Sequence, residues 1–391
     1  MQKGKPEVDA AAEFFEIVMD FRDPRDAIRE AISNDFDAGA TEISVRARIV
    51  PYRGQDELVL TFEDNGVGIE AESLDAGVPN LHAFFDLGRS TSRESPDRIG
   101  QKGHGTKTFF NSREIEVYSW RNGQETYAVM PEPRSRLAEK QIPEYDWEHR
   151  PCADPLKTGT TIVVKGYNQN RTQGFSHDEL MDFIYWFTKF GSIEAELGLL
   201  THATTKLTLQ GLGRETPEVL EFGHRFPAKE QYDLKSLRRE DAGSPTKYFV
   251  KKWCESGIPI KGFPHYSLDM VFYIEGDRAK SYNKMIRRQG APVREGMYLV
   301  EQRYGLWAAK DYIPVQNLTE WIGRGQRAAS TKFHAFANCQ QFKLTANRGD
   351  VGNTDERLMS AIRETIVTWF QNIVLGDPVY QKYEEELALE V

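Results

Sequence analysis

Cysteine is nearly missing: Cys152, Cys254 and Cys339 are all that this 391-residue chain carries. They are far apart, odd in number and without C-x-x-C spacing. That excludes a disulfide framework and a zinc knuckle and leaves buried structural thiols as the expectation. Long apolar runs are missing too, none approaching the ~20 residues a bilayer span needs. The opening stretch MQKGKPEVDAAAEFF has no apolar centre of the kind a secretory leader requires. A soluble, cytoplasmic protein without a membrane partner is expected. Excess positive charge is absent: 50 Lys and Arg stand against 59 Asp and Glu, a net charge of −9. This argues against a general nucleic-acid coat, although a local basic patch stays compatible with it. There is no internal repeat, no long low-complexity tract and no clear Pro/Gly linker.

What is present suffices for packed cores. Apolar residues make up 39% and aromatics 12% of the chain, so wholesale disorder is excluded. The length suits two or three domains; two are the simpler expectation, at 1–205 and 206–391. Ala27, Ile28, Ala31 and Ile32 recur at helical spacing, and Gly39 in Asp37-Ala38-Gly39-Ala40 is placed to end that helix. Strands are expected at Glu42–Ile49, Glu57–Glu63, Glu114–Tyr118, Glu125–Met130 and Thr160–Lys165, and a helix over Ser176–Lys189. The polar stretch from Glu70 to Arg98, broken by an apolar piece at Leu81–Leu87, reads as a connection that covers something. Lys206–Leu209 opens a second region that closes with a helix from about Asp355 to Val374, and the acidic Tyr383–Val391 reads as a frayed tail or the stump of something longer. Strands followed by crossing helices, without regular βαβ alternation, predict α+β sandwiches.

Four short motifs carry chemistry. Glu30 and Asn34 are four apart in Glu30-Ala31-Ile32-Ser33-Asn34, so they share one helix face. An Asn amide oxygen suits magnesium, which takes oxygen ligands and bridges phosphates. A carboxylate one turn away is placed to orient or deprotonate a water. The competing reading is a solvated Glu/Asn pair. Next, Asp64-Asn65-Gly66-Val67-Gly68 follows a strand. Asp64 is an acceptor for an amino group such as adenine's, and Gly66 and Gly68 let a flat base approach the backbone. An Asn-Gly hairpin turn competes with this.

Gly100-Gln101-Lys102-Gly103-His104-Gly105-Thr106-Lys107 is the third motif. Its glycines free backbone N–H groups for phosphates, and Lys107 adds a point charge. Thr106 stands between Gly105 and Lys107, so the G-x-x-x-x-G-K-[ST] spacing fails, and a G-x-G-x-x-G is absent. Plain loop flexibility is the alternative. Gly159-Thr160-Thr161, leading a strand, is the fourth motif and is indistinct alone.

In this order the four motifs resemble the signature of the GHKL ATPases, the superfamily of gyrase B, the ninety-kilodalton heat-shock chaperones, histidine kinases and MutL. The resemblance covers roughly the first half of the chain. It implies a Bergerat-type ATP-binding α/β sandwich, with ATP and magnesium as ligands. By position, it implies Glu30 as general base, Asn34 as magnesium ligand, Asp64 with Gly66 and Gly68 beside the adenine, and Thr160 supporting the base through water. Gly100, Gly103, His104, Gly105, Thr106 and Lys107 fall where relatives wrap the phosphates, and Ser90 and Thr91 where they carry lid hydroxyls. Asp37 matches the relatives' helix and is assigned a structural role.

Further on, Phe342-Lys343-Leu344-Thr345-Ala346-Asn347-Arg348-Gly349-Asp350 looks like the segment of microrchidia-type (MORC) and chaperone ATPases that delivers a basic residue to the γ-phosphate. Arg348 stands where MORC proteins have Lys. That keeps the charge and changes its geometry. A surface loop Arg is the alternative. The resemblance implies a second, ribosomal-S5-like α+β transducer domain and an ATP-bound homodimer. The basic run Arg278, Lys280, Lys284, Arg287, Arg288, Arg294 and Arg303, interleaved with Tyr282, Tyr298 and Tyr304, reads either as a DNA or protein surface or as a solvated face with tyrosines packed inward.

The function expected is ATP hydrolysis driving a clamp-like switch, in MORC-like or chaperone-like work such as DNA maintenance or defence against phage. A scaffold locked by unhydrolysed ATP and a kinase of the histidine-kinase type are the rivals. Glu30 in the hydrolytic position argues against the kinase.

Overall fold

Local rules account for where the first helices begin and end. The computed structural model describes residues 9–21, 23–70, 80–86, 105–224, 249–275, 297–299, 302–323, 333–345, 351–352 and 354–389. Asp9 caps α1 (Ala10–Met19) by accepting the Ala12 N–H at 3.1 Å, and the helix buries Ala11, Phe14 and Val18. Helix α2 (Asp26–Asp37) is buried nearly all round, with Ala27, Ile28, Ala31 and Ile32 wholly inaccessible. Gly39, at φ +72°, ends it as the sequence predicts.

Two hairpins build the first sheet. β1 (Glu42–Tyr52) and β2 (Gln55–Asp64) turn at Arg53-Gly54, and β3 (Glu114–Arg121) and β4 (Gln124–Pro131) turn at Asn122-Gly123. All four turn residues have positive φ, as a twist-matched two-residue hairpin demands. With β5 (Asp146–Pro151), β6 (Gly159–Lys165), β7 (Lys206–Gln210) and β8 (Glu218–Glu221) they form an eight-stranded sheet, ordered β5-β4-β3-β6-β2-β1-β7-β8. Only the β1–β7 pairing is parallel. Helix α3 (Leu81–Phe85), α4 (Pro133–Ala138), α5 (His177–Phe187) and a 3-10 turn at Gly105–Phe110 complete this part of the chain. Phe109 is wholly buried and meets Phe62 of β2 and Phe84 of α3, with ring centroids 5.6 and 5.9 Å apart. Such a ring contributes about 2–3 kcal/mol by burial.

A second sheet contains β9 (Phe249–Ile260), β10 (Phe263–Glu275), β11 (Gly305–Lys310), β12 (Ile313–Asn317) and β13 (Phe333–Asn338), ordered β12-β11-β13-β10-β9. Both its faces are covered. Met270, Phe272 and Ile274 pack with Leu358, Ile362, Ile366 and Trp369 of α6 (Glu356–Trp369), while Val271 and Tyr273 pack with Trp186, Trp307 and Phe336.

The α+β class is the one the sequence predicts, and several details differ. Lys206–Gln210, where the sequence suggests that a second region opens, pairs with β1 in the first sheet. Two compact units are found, one comprising 1–184, 188–190 and 204–222 and the other 185–187, 191–203 and 223–391. A parallel strand added after a long excursion leaves no local mark of its partner. The final helix runs on through a π turn at Phe370–Leu375, and Tyr383 belongs to a further helix, α7 (Pro378–Leu389), not to a frayed tail. Of the three thiols only Cys339 is buried; Cys152 is half-buried and Cys254, on β9 at the sheet edge, is exposed.

Candidate functional site

Helix α2 is the hinge of the site. Its burial on most sides holds Glu30 inside, 5% exposed, while Asn34 one turn later is half-buried. Arg29 serves two carboxyls: its guanidinium lies 3.1 Å from Asp26 and 3.7 Å from Glu30. Burial pushes the Asp26 carboxyl up to about 7, against the pull of Arg29. Gly105, the last glycine of the third motif, sits directly on Glu30. A Cβ there would come within 2.0 Å of Glu30 Oε2, so any side chain requires the Glu30 carboxylate to move.

The other end of α2 meets the second motif. Val67 N–H donates to the Ala38 carbonyl at 3.0 Å, and a Cβ on Gly66 would stand 2.8 Å from both Ala38 Cβ and Ala38 O. Asn65 fastens the turn to the start of β1, its Oδ1 accepting from Thr41 N at 2.9 Å and Glu42 N at 3.0 Å. Asp64-Asn65-Gly66 is therefore a docking turn and not the hairpin that competed with it.

The Asp64 carboxylate accepts the Gly66 N–H at 2.6 Å and the Thr160 N–H. Burial raises its pKa, and the two amides oppose that rise. Asp35, wholly enclosed one residue after Asn34, is also raised, first by burial and then by Asp64. Its Oδ2 has no hydrogen-bond partner among the described residues. The two amides favour the charged, acceptor form of Asp64, whereas burial with Asp64 nearby favours the neutral form of Asp35.

Gly159 and Thr160 become informative only in three dimensions. Thr160 pairs with Asp64 across β2 and β6, and a Cβ on Gly159 would lie 2.1 Å from the Asp64 carbonyl oxygen. Gly68, at φ +76°, approaches β3 so closely that a Cβ would be 2.3 Å from Trp120 O. Ser119 ties these pieces together. Its Oγ accepts from Ile69 N at 2.6 Å, donates to Gly159 O at 3.1 Å and lies 3.1 Å from Thr160 Oγ1. With the Ser119 proton spent on Gly159, the Thr160 hydroxyl donates to Ser119 and keeps its lone pairs for another donor. Sequence reasoning passed over Ser119. The available signal was a hydroxyl on the buried face of β3, in step with Ile115 and Val117.

The third motif is only partly visible. Gly100, Gly103, His104, Ser90, Thr91 and Arg348 lie outside the described residues. Thr106 and Lys107 are described, and their side chains are engaged within the protein. Lys107 is wholly buried, its Nζ donating to Phe84 O at 2.6 Å and to Thr106 Oγ1 at 2.7 Å. Spacing in the sequence could not disclose that carbonyl. From the basic run, Arg303 lies inside, its guanidinium 4.5 Å from the Tyr298 ring centre and 4.8 Å from that of Phe187. Tyr298 and Tyr304 are buried as well. These three are no part of a surface for DNA, and the rest of the run up to Arg294 lies outside the described residues.

A carboxylate with spare lone pairs between two amides, beside glycines that leave no room for a Cβ, suits the amino edge of a purine. The half-buried amide of Asn34, a turn from a buried carboxylate, suits a single oxygen ligand to magnesium. The chain's residues thus fit both groups that the motifs imply. Residues 21–148 match the family described as histidine kinase-, DNA gyrase B-, and HSP90-like ATPase. A search of curated proteins finds no match.

Proposed function

We propose that this chain, whose residues 21–148 belong to the GHKL ATPases, binds ATP with magnesium in the α2–Asp64–Gly105 site and hydrolyses it. One observation carries the reading: α2 touches the Asp64 turn through Ala38 and the last phosphate-loop glycine through Glu30, so three motifs distant in sequence meet on one helix. Asp64 reads the adenine amino group, with Thr160 holding a bridging water. Gly66 and Gly68 bring the backbone up to the base. Asn34 supplies the protein ligand to magnesium, which neutralises phosphate charge when bound. Glu30 orients and deprotonates the attacking water. The backbone of Gly100, Gly103, His104 and Gly105, with Ser90 and Thr91, receives the phosphates.

On the resemblance to MORC-like and chaperone-like ATPases, Arg348 senses the γ-phosphate and the second unit serves as a transducer. ATP then pairs two copies into a clamp, and DNA or a protein is a partner through the basic residues of 278–303 other than Arg303. Work in DNA maintenance or phage defence, in the cytoplasm, is the corresponding role; no helix among the described residues is long and apolar enough to cross a membrane.

Steady-state hydrolysis and nucleotide binding, measured together, test the proposal. Glu30→Ala keeps ATP binding and lowers turnover by about 10²–10⁴-fold, the usual contribution of a positioned base. Unchanged turnover removes Glu30 from that role. A wild type that binds ATP and never turns it over selects the locked scaffold.

A further inference from the structure

Lys107 is a costly residue to enclose, and its surroundings state what it is held for. Its ammonium is 0% exposed and makes a closed triangle: Nζ donates to Phe84 O and Thr106 Oγ1, and Thr106 Oγ1 donates to Phe84 O at 2.7 Å. The Phe110 ring centre stands 5.9 Å from Nζ. Burial pulls the ammonium down to about 7, with Asp86 opposing. A lysine that serves as a phosphate's point charge needs an open side toward the phosphate, and among the described residues this one has none.

The triangle joins α3 to the turn Gly105–Phe110, which is a 3-10 turn of six residues. Such turns have poor internal hydrogen-bond geometry and need outside support. A charged donor on a carbonyl is among the stronger forms of that support. Two residues before Lys107, Gly105 rests on the Glu30 carboxylate.

We propose that Lys107 is a positioning residue, not a phosphate ligand: it pins the Gly105–Phe110 turn to the Phe84 carbonyl and thereby sets Gly105 against Glu30. The inference rests on the ATPase reading above. It makes Lys107 and Thr106 act on the water-activating carboxylate through the backbone, without touching nucleotide.

Lys107→Met, which keeps the aliphatic stem and removes the ammonium, tests this when kcat and KM for ATP are read beside calorimetric affinities for AMP, ADP and a non-hydrolysable ATP analogue. The expected result is a kcat lowered about tenfold or more, a KM within about twofold, and one common factor of change for the three affinities. An affinity loss that grows from AMP to the triphosphate overturns the proposal, because only a phosphate ligand senses phosphate number. Unchanged kcat overturns it too. If Lys107→Met does not fold, Thr106→Val decides: it breaks the triangle and leaves the charge. Lowered kcat at constant KM then supports positioning, and wild-type kinetics overturn it. A wild type that binds none of the three nucleotides sinks the ATPase reading itself, whereas equal turnover by wild type and Lys107→Met sinks this inference alone.

Discussion

Gly105 packs closely on Glu30, and the fit is sensitive to one added methyl group. Gly105→Ala forces a Cβ into Glu30 Oε2. The expected result is ATP binding close to wild type with hydrolysis lowered by roughly 10²-fold or more, as befits a displaced general base; paired binding and turnover assays check it. Asp64 yields a pH prediction. Its carboxyl pKa is raised, so the charged acceptor is lost on acidification earlier than at the ordinary value near ~4. Nucleotide affinity falls as pH is lowered from 8 toward 5. Asp64→Asn weakens binding by about 1.5–3 kcal/mol, the range of a hydrogen bond to a charged group, and flattens that profile. The stability of the nucleotide-free protein runs the other way: a raised carboxyl pKa contributes stability that is full below the unfolded value and lost as pH rises through the folded one. Titration calorimetry and thermal melts across pH separate the two.

Elements matter here as carriers of register. β6 brings Thr160 opposite Asp64, and β3 brings Ser119 under both, so the base-reading corner is assembled by strand pairing and not by the loop alone. Ser119→Ala leaves the Ile69 N–H without its side-chain acceptor, and a loss of about 1–3 kcal/mol in stability is expected by denaturant titration. In the second unit, Asp355 caps α6 by accepting the Arg357 and Leu358 N–H groups, each at 3.1 Å. Asp355→Ala is expected to cost about 1 kcal/mol. Nucleotide affinity at the first unit provides the control that the loss is one of stability.

At the scale of the whole molecule, the clamp proposal predicts a change of assembly. A non-hydrolysable ATP analogue with magnesium is expected to shift sedimentation from monomer to dimer, and Asp64→Asn to abolish the shift at the same nucleotide concentration. A wild type that stays monomeric with analogue bound removes the clamp from the mechanism and leaves the ATPase chemistry standing.

Periodicity and short motifs were enough to read the α+β class, helix α2 carrying Glu30 and Asn34, and the first strands with Asp64 at the end of β2. These depend on contacts within a few residues: the i to i+4 step of a helix, or a strand running into a glycine turn. What only the tertiary structure decided lies between distant segments. The parallel pairing of β7 with β1 puts Lys206–Gln210 in the first sheet, since a strand's partner is chosen by long-range pairing that its own pattern does not encode. The sequence presented Lys107 as a point charge at the end of a glycine-rich motif. The fold instead set the Phe84 carbonyl within hydrogen-bond reach, and an enclosed ammonium must take the acceptor it is given.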